Sequence, residues 1–249
     1  MNRIDIGRVF GDIFTVWWKN VGVYMGVSFA LWVPVFLLNL PLLELQEKLG
    51  GPFGMQPVDE AEVQQMMIDA IPFWIGIILL SMFSGVVGSA FYGYHSAMFL
   101  RGSPVTLGAA FGRVFSRIFA VFLISLILAV SFMICCVPFL VLSLWLYVTV
   151  PALLVENIGV SRAIDRSSTL LEGNRIWGPL LFIILYVGMF MLGIPGGVVQ
   201  FVDPFWGQAV SGLASIVTLP FFGIAPAVLY VHLVRATGGF TETLTEVFE

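Results

Sequence analysis

Charge is what this sequence has least of: Asp, Glu, Lys and Arg make up 10% of its 249 residues, against 59% hydrophobic residues and a mean hydropathy of +1.00. An ordinary water-soluble enzyme is excluded, because a soluble domain needs about 25% charged residues to solvate its surface. Basic residues are scarcer still. With Lys+Arg 11 against Asp+Glu 15 and a pI near 5.1, no basic surface is available and nucleic acid is excluded as a partner. Cys135 and Cys136 are the only cysteines and are sequence neighbours, so they supply neither a disulfide framework nor the four ligands of a structural zinc site. Also missing are an H-E-x-x-H pair, a phosphate loop and a nucleophile elbow. No catalytic residue, cofactor or metal is expected, and the chain is not read as an enzyme.

What is present is length of apolar run. Residues 20–43, 70–100, 118–155, 176–202 and 204–234 contain no Asp, Glu, Lys or Arg. Each exceeds the roughly 20 residues that cross a hydrocarbon core of about 30 Å, so each is expected to hold a helix across the membrane. The third run, 38 residues long, would make a rod nearly twice that thickness. It is read as two spans broken at Cys135-Cys136-Val137-Pro138, because a proline cannot donate to a helix ladder and disfavours helical geometry in the residue before it. Six spans result.

Six spans sort the charges. Arg3, Arg8, Lys19, Arg101, Arg113, Arg117, Arg162, Arg166, Arg175 and Arg235 fall on one side, and only Lys48 on the other. By the positive-inside rule that side is cytoplasmic, with both termini inside. Glu44, Glu47, Asp59, Glu60, Glu62, Asp69 and Asp203 fall outside, which makes the outer face net negative. A bacterial-type inner (plasma) membrane is the expected location. The first 19 residues carry Asp5 and Asp12 and lack a small-residue cleavage site, so they are not read as a removable signal peptide. Trp74 and Trp206 fall at outer span boundaries and Trp17, Trp18 and Trp177 at inner ones, as an aromatic belt requires; Trp32 and Trp145 sit deeper and fit no belt.

A pattern recurs before each outward-going span. Ile6, Val9, Phe10, Ile13, Phe14 and Trp17 have the spacing of Leu107, Ala110, Phe111, Val114, Phe115 and Ile118, and of Val160, Ala163, Ile164, Ser167, Ser168 and Leu171. Steps of three and one describe one face of a helix, with Arg8, Asp12 and Thr15, or Arg162, Asp165 and Glu172, on other faces. Three amphipathic helices lying in the cytoplasmic interface are expected, starting near Asp5, Thr106 and Ser161. The chain is thus read as one transmembrane domain, 1–249. It would be all-α and polytopic, with six transmembrane helices as three hairpins, each preceded by an interfacial helix. Repeat units are placed at 1–100, 101–156 and 157–249, with an extracytoplasmic insertion at 44–70.

The stretch Ile6-Gly7-Arg8-Val9-Phe10 through Trp18-Lys19-Asn20-Val21-Gly22 resembles the opening of the membrane domain of glycerophosphoryl diester phosphodiesterases. Pro151 through Val160, continued by Ala163-Ile164-Asp165-Arg166-Ser167 and Leu171-Glu172-Gly173-Asn174, looks like that family's Pro-x-x-x-x-x-Glu, Gly-Val, Ala-x-x-Arg-Ser, Gly-Asn run. The family's closing Tyr, Asp, Arg cluster is represented by Tyr230, His232 and Arg235, without the acid. The resemblance implies a stand-alone membrane domain without the catalytic barrel, and a fold more than an activity.

Ionisable groups inside a membrane are costly and usually functional, but none falls at mid-depth here. His95, Glu156 and His232 lie near the inner ends of the even spans. They either converge on a metal or lipid head group or, the simpler reading, each reaches the interface separately. Glu156 precedes Arg162 and Arg166 by six and ten residues and is expected to form a structural pair with one of them; all three are possible lipid contacts. The leading functional expectation is a non-enzymatic integral membrane protein that organises or regulates lipids or partner proteins at the cytoplasmic face. Its partners would be membrane lipids and, secondarily, other membrane proteins. The alternative is a transporter or channel for a small or amphiphilic solute.

Overall fold

The computed structural model describes residues 4–48, 60–134, 141–142 and 144–237. Among the described residues the fold is helical, without strands: α1 (Ile6–Lys19), α2 (Val21–Lys48), α3 (Glu60–Leu100), α4 (Leu107–Ser116), α5 (Ile118–Ile134), α6 (Thr149–Glu156), α7 (Val160–Leu171), α8 (Trp177–Gln200) and α9 (Pro204–Ala236). Four segments are long and apolar enough to cross a membrane: Val21–Leu43, Gln64–Leu100, Trp177–Gln200 and Pro204–Ala236. A fifth is obtained if α4 and the start of α5, bent by 71°, are taken as one broken span.

The 118–155 run, expected as two spans, contributes α5, of 17 residues, and the shorter apolar helix Leu144–Glu156. Among the described residues neither reaches the roughly 20 that cross the hydrocarbon core. The expected break at Cys135, Cys136 and Pro138 lies outside the described residues. The end of the 44–70 insertion belongs to α3, which starts at Glu60 and continues through Pro72 to Leu100. Nothing between Glu60 and Pro72 breaks a helix, so it propagates, adding one backbone bond per residue.

The three short helices start where their caps are. Asp5 accepts from the amides of Gly7 (3.0 Å) and Arg8 (3.4 Å), and Thr106 accepts from Ala109 (3.3 Å), each satisfying amides that the first turn leaves without partners. Val160 opens α7 behind Gly159, which offers no side-chain cap. Equivalent positions are buried in all three: Val9 and Ile13 in α1, Ala110 and Val114 in α4, Ala163 and Ser167 in α7. The face read as membrane-contacting is therefore divided. Some of its positions pack against protein, whereas Phe14, Leu107 and Phe115 are exposed.

The chain folds as two compact units. The first comprises Met1–Tyr24, Val86–Leu185 and Pro220–Glu249; the second comprises Met25–Gly85 and Tyr186–Leu219. All the largest fully buried side chains, among them Tyr24, Phe91, Tyr92, Leu153, Leu181 and Tyr230, belong to the first. The second exposes many large apolar residues, including Ile75, Leu79, Phe190, Val202 and Leu213. A surface this apolar is unfavourable in water and suits a lipid solvent, where close packing rather than hydrophobic burial holds helices together.

Within the second unit, packing explains one tryptophan that fits no belt. Trp32 lies against Gly212, where any Cβ would overlap its ring, and stacks on Phe36 at 4.7 Å. In the first unit, the Trp145 ring lies under the Arg175 guanidinium at 5.7 Å, and its carbonyl accepts from the Ser167 hydroxyl. Trp17, expected in the inner belt, instead stacks on Phe221 with ring centroids 5.5 Å apart, whereas Trp18 is exposed. Pro34, Pro195, Pro220 and Pro226 lie inside continuous helices, and Pro151 sits in the first turn of α6, where its missing N–H has no helical acceptor to lose.

Candidate functional site

The titratable and hydroxyl side chains of the first unit gather at the ends of helices. The last carbonyls of a helix have no partner within it and carry the negative end of its dipole, so each end requires a donor, best a cation. Arginines from other elements fill that role. Arg235, in the last turn of α9, donates to the Leu100 carbonyl that ends α3 (2.7 Å). Arg113 of α4 donates through Nε to the Leu154 carbonyl in the last turn of α6 (2.9 Å). Arg117, in the bend between α4 and α5, holds both the carbonyl (3.2 Å) and Oδ1 (2.7 Å) of Asn157. Asn157 takes the left-handed conformation (φ 58°) that closes α6 and that asparagine tolerates better than most residues.

Glu156 ends α6. Its Oε1 accepts from Arg166 Nε of α7 (3.0 Å) and from the Tyr230 hydroxyl of α9 (2.8 Å), with both charged side chains mostly shielded from solvent. Of the two arginines expected as partners, the fold selects Arg166. It is partly buried, whereas Arg162, one turn earlier on the same side of the helix, is exposed and pairs with no acid among the described residues.

The two histidines go elsewhere. His95 of α3 meets the Tyr24 hydroxyl at 3.2 Å through Nδ1 and stacks on Phe91, and the same Tyr24 hydroxyl lies 2.8 Å from Ser96 Oγ. His232 Nε2 lies 2.8 Å from Asp12 Oδ2 of α1, an ion pair whenever the imidazole is protonated. His95, Glu156 and His232 thus each bond to a different partner, and among the described residues no three His, Cys, Asp or Glu side chains gather as a cation site. The hydroxyl and imidazole chain of Ser96, Tyr24 and His95 contains the components of a nucleophile and base. Ser96 and Tyr24 are fully buried, however, so no substrate reaches them.

Sequence reasoning singled out Glu156, Arg162, Arg166, His95 and His232. It missed Asp12, Tyr24, Tyr230, Arg113 and Arg117, which complete the bonds. Asp12 stands beside the buried Ile13, so an acid at the edge of that face was the available signal. The role of Arg113 had no such signal, because its acceptor is a backbone carbonyl on another helix.

These ties have a measurable value. Arg113→Gln should lower stability by about 1–2 kcal/mol through the loss of a charge-assisted cap, while Arg113→Lys, which keeps a cation, should lose about half as much. Thermal melting in detergent checks this; equal melting of all three proteins contradicts it. No protein family, curated protein or solved structure matches the chain.

Proposed function

We propose that this chain is a non-enzymatic membrane protein that organises or regulates lipids or partner proteins at the cytoplasmic face, using α1, α4 and α7 as the contact surface. In this reading the chain crosses the bacterial-type inner membrane six times as three hairpins. Both termini are inside, and one short helix lies in the inner interface before each hairpin. The resemblance to the glycerophosphoryl diester phosphodiesterase membrane domain belongs to the same reading; it implies a fold more than an activity.

One observation supports it above the others. Each short helix buries the same two positions, so its remaining faces are available outside the protein. On α1 these faces combine exposed Phe14 and Trp18 with Arg8 and Lys19; on α4 they carry Leu107 and Phe115. Aromatic residues beside basic ones are the composition of a surface that sinks its rings among lipid chains and keeps its cations at anionic head groups. In the first unit Asp12, Glu156, His95 and His232 are engaged in helix-to-helix bonds, which does not favour ion coupling through them.

The test uses the full chain in vesicles containing a photoactivatable phosphatidylglycerol. Crosslinks should map to α1, α4 and α7 and fall about fivefold in a Phe14→Ser, Trp18→Ser, Phe115→Ser variant that still folds. Crosslinks restricted to the long apolar helices would overturn the reading. Orientation is checked separately in a protein whose own cysteines are replaced by serine: a cysteine at Asp59 should react from outside and one at Ser161 only from inside.

A further inference from the structure

The first unit contains a cavity of about 190 Å³ between α3, α5, α6, α8 and α9. Most of its wall is apolar, contributed by Leu128, Phe182 and Phe222 among others, but three hydroxyl residues, Ser89, Ser125 and Tyr147, also line it. Ser89 donates to the Val86 carbonyl of its own helix at 3.2 Å. Ser125 and Tyr147 have no hydrogen-bond partner among the described residues. Tyr147 is half-buried and lies in the chain leading into α6.

An O–H group without an acceptor in an apolar wall is costly, and the cost falls mainly on the donor, since a vacant lone pair is better tolerated. Two such donors on residues lining one space ask for an acceptor with two lone pairs and no proton of its own to place. A carbonyl oxygen meets that description, and the surrounding wall asks for an apolar body. Size sets the limit. A cavity of about 150 Å³ holds a benzene-sized ligand, so this one takes a group only slightly larger, such as a short chain or one ring, with any longer tail outside it.

We infer that this cavity is a binding site for the carbonyl-bearing, apolar part of a membrane amphiphile, with the Tyr147 and Ser125 hydroxyls donating to the carbonyl oxygen. Such a group is supplied by the acyl ester of a lipid or by the ring of a membrane quinone. The site shares no residue with the surface formed by α1, α4 and α7, so it stands or falls independently of the proposed function.

The experiment measures thermal stabilisation of the full chain in detergent by three probes: methyl octanoate, decane, a chain of similar length with no acceptor, and a tail-less benzoquinone. A ligand that binds the folded state raises its melting temperature with concentration. Methyl octanoate, the quinone or both should do so saturably, with decane about tenfold weaker than the carbonyl probe that binds, the value of one or two hydrogen bonds in a dry site. Stabilisation by the ester alone identifies an acyl lipid as the source, and by the quinone alone a quinone. Tyr147→Phe keeps the ring and removes one of the two donors, so it should weaken the carbonyl probes about threefold and leave decane unchanged. Ser125→Leu, which fills the cavity, should abolish the shift in a protein that elutes like the wild type. If that variant misfolds, Tyr147→Phe carries the test. Affinity for both carbonyl probes no greater than for decane, unchanged binding in Tyr147→Phe, or no stabilisation by any probe would overturn the inference.

Discussion

Glu156→Ala is expected to cost about 3 kcal/mol of stability, read as a large drop in melting temperature in detergent. The carboxylate is shared by two donors on two helices, Arg166 Nε at 3.0 Å and the Tyr230 hydroxyl at 2.8 Å, and Tyr230 is almost fully buried. Truncation leaves a cation and a hydroxyl without their acceptor in a site that water only partly reaches. Breaking one partner out of such a group costs more than the pair was worth. Glu156→Gln retains an acceptor oxygen and should lose less, about 1–2 kcal/mol. Tyr230→Phe and Arg166→Gln should each reproduce part of the alanine loss, and combining either with Glu156→Ala should add little, because all three act through one oxygen. Full additivity in that double-mutant cycle, or an unchanged melting temperature in Glu156→Ala, would show that the contact carries no stability.

Gly223→Ala should be at least as damaging, costing about 3 kcal/mol or preventing folding. A Cβ at Gly223 would overlap the Ser89 carbonyl oxygen and sit 2.7 Å from Tyr92 Cβ and 3.0 Å from the Gly93 amide. Two of those three atoms are backbone, so no side-chain rotation relieves the overlap, and α3 and α9 must separate where they approach each other. The sensitivity is local. A Cβ at Gly22 or Gly26, on the opening turns of α2, would meet nothing within 4 Å, and alanine at either should change stability by less than about 1 kcal/mol. Melting of the three variants side by side separates a glycine required for close approach from one that is merely tolerated; equal losses would refute the distinction.

Composition and the spacing of charge were enough to determine the kind of molecule. A chain with 10% charged residues and five long uncharged runs has no way to bury that much apolar surface as a soluble domain, so long apolar helices follow without knowledge of their packing. Short-range chemistry was equally legible: Asp5 and Thr106 cap the helices they precede, because capping depends on residues two or three positions apart. Ser81, Gly85, Ser89 and Gly93 form a small-residue stripe at four-residue spacing on α3, a pattern that announces close packing; Ser89 and Gly93 meet Gly223 of α9, while a Cβ at Gly85 would face nothing within 4 Å. The pairing of Glu156 was visible as a choice between two arginines, and the placement of α7 in the fold made the choice. What the tertiary structure alone decided was every tie between distant positions: Asp12 to His232, Tyr24 to His95, Tyr230 to Glu156, and Arg113 to a carbonyl of α6. Local pattern cannot specify these, since the partners lie 41 to 220 residues apart and one of them is backbone, which leaves no mark in the sequence. The unpartnered Tyr147 hydroxyl belongs with them. A tyrosine in an apolar run looks like any other wall residue until the helices around it leave a space and no acceptor.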